Sequence, residues 1–232
     1  MRKDHLAGFT LIEMLVVIAI IATIAAFALP AITGALTRGQ LTQAVSNARQ
    51  VHLATFSMAT DGTQTGDAKY GWPGDLAAAA APNTITTVPQ FVQRLVDNDY
   101  LKPGDLKVFA ASGISPWNGT YAPPPDANSA GTLSPLFDGT KNCAFKIYKV
   151  KESDAADSIF LATKNFSKTG SASTAVNSTA APFGDKGFVI FHKGGDGTYY
   201  KRQQAASNLL GTVPGQSDPA ANESNDSFLQ QQ

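Results

Sequence analysis

The stretch Phe9–Leu29, FTLIEMLVVIAIIATIAAFAL, is the strongest constraint on what this chain can fold into. Its 21 residues are almost all apolar. As a helix rising about 1.5 Å per residue it reaches ~32 Å, which matches the hydrocarbon core of a bilayer. A short leader, MRKDHLAG, precedes it, and Arg2 and Lys3 bias the amino terminus toward the cytoplasmic side. One carboxylate, Glu13, interrupts the run a turn from its start. At that depth a charge costs about 2.5–3.5 kcal/mol, so Glu13 is a candidate functional residue.

Two plainer readings of this segment fall short. A secretory signal has an apolar region of about 7–15 residues followed by a small-x-small cleavage site. Ala26-Phe27-Ala28 supplies such a site, but the run before it is longer and carries a glutamate. A plain membrane anchor explains the length and gives no reason for Glu13 or for Gly8-Phe9.

The start resembles the type IV prepilin and type II secretion pseudopilin families. The residues that carry the likeness are the basic leader ending in Gly8, then Phe9-Thr10-Leu11-Ile12-Glu13, then the unbroken apolar run with Pro30 just beyond it. The resemblance implies that a membrane prepilin peptidase cuts between Gly8 and Phe9 and methylates the new amino terminus at Phe9. It also implies a filament of stacked copies in which Phe9 and Glu13 serve subunit assembly. The implied machinery is an inner-membrane assembly platform with its ATPase.

Past Pro30 a helical pattern resumes. Leu41, Ala44, Val45, Ala48, Val51, Thr55, Met58 and Ala59 recur at intervals of three and four, which marks one apolar face. Thr37, Gln40, Gln43, Asn47 and Gln50 supply much of the other. Pro30 removes a backbone donor and is expected to kink the helix, with Gly34 and Gly39 softening the same region. The division expected is a leader over 1–8, a transmembrane and stem helix over 9–60, and a head over 61–232.

Within the head, Asp61–Ala81 reads as loop, Pro89–Leu101 as a short helix and Leu106–Ala110 as a strand. Cys143–Lys151, Ser158–Thr163 and Gly187–His192 are short, rich in β-branched and aromatic residues, and flanked by turn residues, so they read as strands. Gly194-Gly195-Asp196-Gly197 turns into a further strand over Thr198–Lys201. Tyr121–Gly139 and Ser167–Asp185, rich in Ala, Ser, Thr, Pro, Asn and Gly, read as surface loops, and the tail after Ala205 as irregular. A long helix followed by a small antiparallel sheet gives an α+β, pilin-like head.

The order "LVDNDYL", "PWNGTY", a late strand and "GGDG" is similar to the major pseudopilin of type II secretion systems. That likeness implies a calcium ion in the late loop, where Asp196 is the one acid at a comparable place; an Asp-Gly turn is the other reading. Cys143 is the only cysteine, so no internal disulfide can form, and the chain departs there from many type IV pilins. It reads as a small buried hydrophobe.

Net charge is zero, with 18 basic and 18 acidic residues, so nothing demands nucleic acid as a partner. Lys141, Lys146, Lys149 and Lys151 form the one local basic cluster, read as a solvated strand face. It is also the only support for a DNA-uptake pilin. His5, His52 and His192 stand apart in the sequence, and no nucleophile elbow, HExxH or phosphate loop occurs, which argues against an anchored periplasmic enzyme. The expectation is a structural, non-enzymatic subunit of a pseudopilus or pilus, a minor capping subunit being the alternative. It would sit in the inner membrane with a single pass, amino terminus cytoplasmic and head periplasmic. After assembly it would lie in a periplasmic pseudopilus or an extracellular pilus.

Overall fold

The computed structural model describes residues 10–125, 129–169, 175–205, 210–216, 218 and 221–231. The chain divides into two compact units, one up to Gly39 and one from Gln40 onward. Helix α1 covers Leu11–Thr65 and runs without a break through Pro30. It extends past the expected end at residue 60 because Gly66 makes the stop: its φ is 70°, a left-handed conformation that glycine takes at no steric cost.

In the second unit α1 supplies one wall of the core. Leu41, Ala44, Ala48, Val51, Thr55, Met58 and Ala59 are all buried, as their three-and-four spacing predicts. Asn47 departs from its expected place on the polar face. It is buried, its amide donates to the Ala110 carbonyl at 3.0 Å, and Gln43 donates to its side-chain oxygen at 2.9 Å. A buried amide with both ends paired costs little, so the periodicity tolerates it.

Two short helices follow. Helix α2, Pro73–Ala78, lies in the segment expected to be loop. It is only six residues long, too short for a periodic signal, and Pro73 starts it by presetting φ. Helix α3, Val88–Asp97, matches the expected helix. Thr87 and Gln90 form a capping box at its start, and Val88, Phe91, Val92, Leu95 and Val96 make its buried face.

The strand expected over Leu106–Ala110 is instead a 3-10 helix, Pro103–Phe109. Leu106, Val108 and Phe109 are all buried there. Leu106 and Phe109 lie three apart, a spacing that a 3-10 turn brings to one side and that strand alternation would split between faces.

A two-stranded ribbon pairs β1, Thr120–Ala122, with β2, Thr132–Ser134. It occupies the segment expected to be surface loop; three-residue strands carry too little alternation to be seen in sequence. The main sheet is antiparallel in the order β3-β4-β5-β6, namely Phe145–Ile147, Ile159–Thr163, Phe188–His192 and Gly197–Tyr200. The central strands β4 and β5 are buried along their whole length, which is why they read as continuous apolar runs. Phe166 stacks on Phe188 at 4.4 Å between ring centres, and Phe188 on Tyr200 at 5.5 Å. The tail is less irregular than expected: Leu210, Val213 and Leu229 return to the interior.

Helix α2 is seated by backbone contact. The Gly74 amide donates to the Val150 carbonyl at 2.7 Å, and a Cβ on Gly74 would overlap the Lys149 carbonyl oxygen. Gly74→Ala should therefore destabilise the fold by about 1–3 kcal/mol in denaturant melts. Gly104→Ala, whose Cβ would meet nothing within 4 Å, should stay within about 0.5 kcal/mol of wild type.

Candidate functional site

The first unit is defined by apolar side chains that stand exposed among the described residues. Its helix is long and apolar enough to cross a membrane, and its most apolar stretch has no buried residue. Leu11 and Phe27 are each 83% exposed. Gly8 and Phe9, the expected cleavage and methylation positions, lie outside the described residues.

Glu13 sits in the first turn of α1 and makes a capping box with Thr10. Its Oε2 accepts from the Thr10 amide at 2.8 Å and from the Thr10 hydroxyl at 2.6 Å, while the Glu13 amide donates back to the hydroxyl at 3.3 Å. The box satisfies amide donors that every helix start leaves open. The signal was present as Thr10-x-x-Glu13 ahead of an apolar run. Both bonds use one carboxylate oxygen, which leaves Oε1 for another donor.

Pro30 lies within α1. Lacking an N–H, it leaves the Ala26 carbonyl without its usual donor four residues on. The Thr33 hydroxyl donates to the Pro30 carbonyl at 3.0 Å, and Gly34 and Gly39 have open space around them.

In the second unit, Asp196 holds the turn between β5 and β6. Its carbonyl accepts the His192 amide at 2.8 Å, and its Oδ2 lies 2.7 Å from His192 Nδ1. His192 Nε2 donates to the Leu210 carbonyl at 3.0 Å. No group of three or more His, Cys, Asp or Glu side chains converges among the described residues, at Asp196 or elsewhere. Calcium takes six to eight oxygen ligands, whereas the Asp196 carboxylate is engaged by His192, which accords with the turn reading. Of the downstream acids, Glu223 is bound to Lys146 and Tyr148.

The lysine cluster is not a single solvated face. Lys141 pairs with Asp138 at 3.1 Å, and Lys146 is largely covered and bonded to Glu223 and Ser167. Phosphate binding needs several free cations on one surface, and this arrangement breaks the set. His52 is buried among Trp72, Phe160 and Phe191, with Nε2 2.8 Å from the Lys193 carbonyl. Cys143 is fully buried, as expected, and burial pushes its thiol up to about 11. The thiolate is the reactive form, so Cys143 is inert at neutral pH.

Asp196→Ala should remove the contact to His192 and cost about 1 kcal/mol, read from the denaturation midpoint. Millimolar calcium should leave the melting temperature of both proteins unchanged. A calcium-dependent rise in the unmutated chain that the substitution abolishes would contradict this assignment.

Residues 6–29 match the family model for the prokaryotic N-terminal methylation motif. A type IV major fimbrial protein FimA of Dichelobacter nodosus is 38% identical over 158 aligned residues, covering 58% of this chain and 93% of that protein. Another FimA of the same species is 37% identical over 72 residues, 31% of this chain and 46% of the relative. The fimbrial protein EcpC of Eikenella corrodens is 39% identical over 85 residues, 37% of this chain and 51% of the relative. The chain thus spans about half the length of several relatives it matches and nearly all of two. No solved structure matches. An apolar helix opening on a capped glutamate, a methylation motif laid over the same residues and an antiparallel head together place the chain: it belongs to the type IV pilin family.

Proposed function

We propose that the chain is a structural subunit that polymerises through its amino-terminal helix into a type IV pilus-like filament, after cleavage between Gly8 and Phe9 and methylation of Phe9. The observation that carries this reading is the uncovered apolar helix with one carboxylate in its first turn. Before assembly, lipid covers that surface; in a filament the helices of neighbouring copies cover it instead.

Glu13 supplies selectivity. Its Oε2 is held by Thr10, and its Oε1 takes the cationic amine of Phe9 from an adjacent copy. Methylation keeps that amine positively charged, so the attraction survives processing. A carboxylate in an apolar setting gains far more from a paired cation than it does in water. A copy out of register leaves its carboxylate unpaired.

The partners of this reading are the prepilin peptidase, other copies of the chain or related pilins, and a membrane platform with its ATPase. The amino terminus faces the cytoplasm and the head the periplasm until assembly. The fimbrial names of the relatives favour a surface pilus over a secretion pseudopilus. The fimbrial relatives accord with a structural role. The broken-up lysine cluster disfavours DNA uptake.

Protein recovered from its host should have an intact mass that begins at N-methylated Phe9. Electron microscopy of sheared material should show fibres that contain it as the main component. Glu13→Val should be inserted and cleaved normally, because the span only becomes more apolar, and should give few or no fibres. A mature chain beginning at Leu29, or wild-type fibres from processed Glu13→Val, would overturn the proposal.

A further inference from the structure

Strand β3 is an edge of the main sheet, with β4 on one side only. Exposed edges present unpaired backbone groups that recruit strands from other molecules. Here residues 221–231 fill that edge. Leu229 donates its amide to the Ile147 carbonyl at 2.8 Å, and the Ser227 carbonyl accepts the Lys149 amide at 2.9 Å. The Gln231 side-chain amide reaches the Phe145 carbonyl at 3.3 Å, in the place a backbone N–H would take.

The same segment bonds on its other side to the start of α3. Gln230 donates to the Thr86 carbonyl at 2.9 Å and accepts from the Val88 amide at 2.8 Å. Leu229 is fully buried between the two. The backbone pairing is brief, so something else must hold the segment in place.

Glu223 does so. Its carboxylate pairs with Lys146 of β3 at 2.5 Å and accepts the Tyr148 hydroxyl, and its amide donates to the Lys168 carbonyl at 3.0 Å. The Glu223 and Lys146 side chains are only 8% and 12% exposed, and Tyr148 is fully buried. Burial, followed by the adjacent carboxylate, raises the Tyr148 pKa well above the usual phenol range, so its hydroxyl stays a donor. Lys146 also bonds to Ser167 and sits 5.1 Å from the centre of the Phe228 ring, which belongs to the segment it clasps. Removing one partner of such a pair leaves the other buried and unpaired, a far larger penalty than losing a surface ion pair.

We propose that residues 221–231 are a strap that closes the β3 edge, latched by the Glu223 carboxylate, and that the closure stops two copies of this chain from pairing edge to edge. The only thiol is buried in the core, so the latch is ionic where a disulfide would be covalent. Copies that polymerise through a helix are crowded together, and an open sheet edge would divert them into sheet-paired dimers.

The test compares the full chain with Glu223→Gln, both in detergent micelles, by hydrogen exchange and by size. In the variant the amides of Val88, Lys149, Leu229 and Gln230 should exchange at least about tenfold faster, because strap opening sets their rate. Amides of the β4–β5 pair should keep wild-type rates, and the variant should show more dimer by sedimentation. Wild-type exchange at the four amides overturns the latch. Released amides in a chain that stays monomeric overturn the protective role. If Glu223→Gln loses β4–β5 protection altogether, Tyr148→Phe decides. It removes one bond to the carboxylate and keeps the ion pair, so the same four amides should exchange faster, with dimer following. Wild-type rates there overturn the proposal.

Discussion

A helix that is apolar on every side has no inside of its own, and the demand to cover it governs the rest of this molecule. From Leu11 to Leu36 the large side chains stand exposed, several above 60%. At about 25 cal/mol per Å² of apolar surface, leaving such a span in water is prohibitive. Only lipid or other helices of the same kind can satisfy it. The described residues supply none of that covering, and on the proposed function a filament of such helices would. On the proposed function Glu13 would convert that unspecific attraction into a register, because a carboxylate in an apolar medium tolerates few positions.

The second unit answers a different demand. It packs a core of its own, and it does so without covalent closure. From Gln40 the helix changes from apolar all round to apolar on one face, and that face becomes a wall of the core. The sheet is held by two fully buried central strands and by stacked Phe166 and Phe188. The remaining burdens fall on a few polar groups placed where apolar packing cannot reach. Asn47 ties α1 to the Ala110 carbonyl, His192 ties the β5 end to Leu210, and Glu223 ties a late segment to β3.

Much of this was legible in the sequence, and the losses have a common cause. The long helix, its buried positions, α3 and the central strands all announced themselves through periodicity or through continuous apolar runs. What escaped was short or depended on a distant partner. Helix α2 and strands β1 and β2 are too brief to show a period. Leu106–Ala110 mimicked a strand because Leu106, Val108 and Ala110 alternate, whereas the backbone there forms a 3-10 helix with Leu106 and Phe109 three apart and both buried. Lys146 looked solvated because its counter-charge, Glu223, is 77 residues away in the chain. The site was half legible: Glu13 stood out by its charge, while its box with Thr10 was written in the spacing and went unread until the hydrogen bonds were seen.

Glu13 therefore has two roles that a valine substitution removes together: it caps the helix start and it offers a charge. Glu13→Gln separates them, since glutamine still completes a capping box but carries no charge. The most direct measurement is the length and number of fibres made by processed Glu13→Gln protein, counted by electron microscopy against wild type at equal membrane abundance. If charge pairing between copies sets the register, fibres should be nearly absent although the helix start is intact. Wild-type fibres from the glutamine variant would mean that Glu13 only caps its own helix.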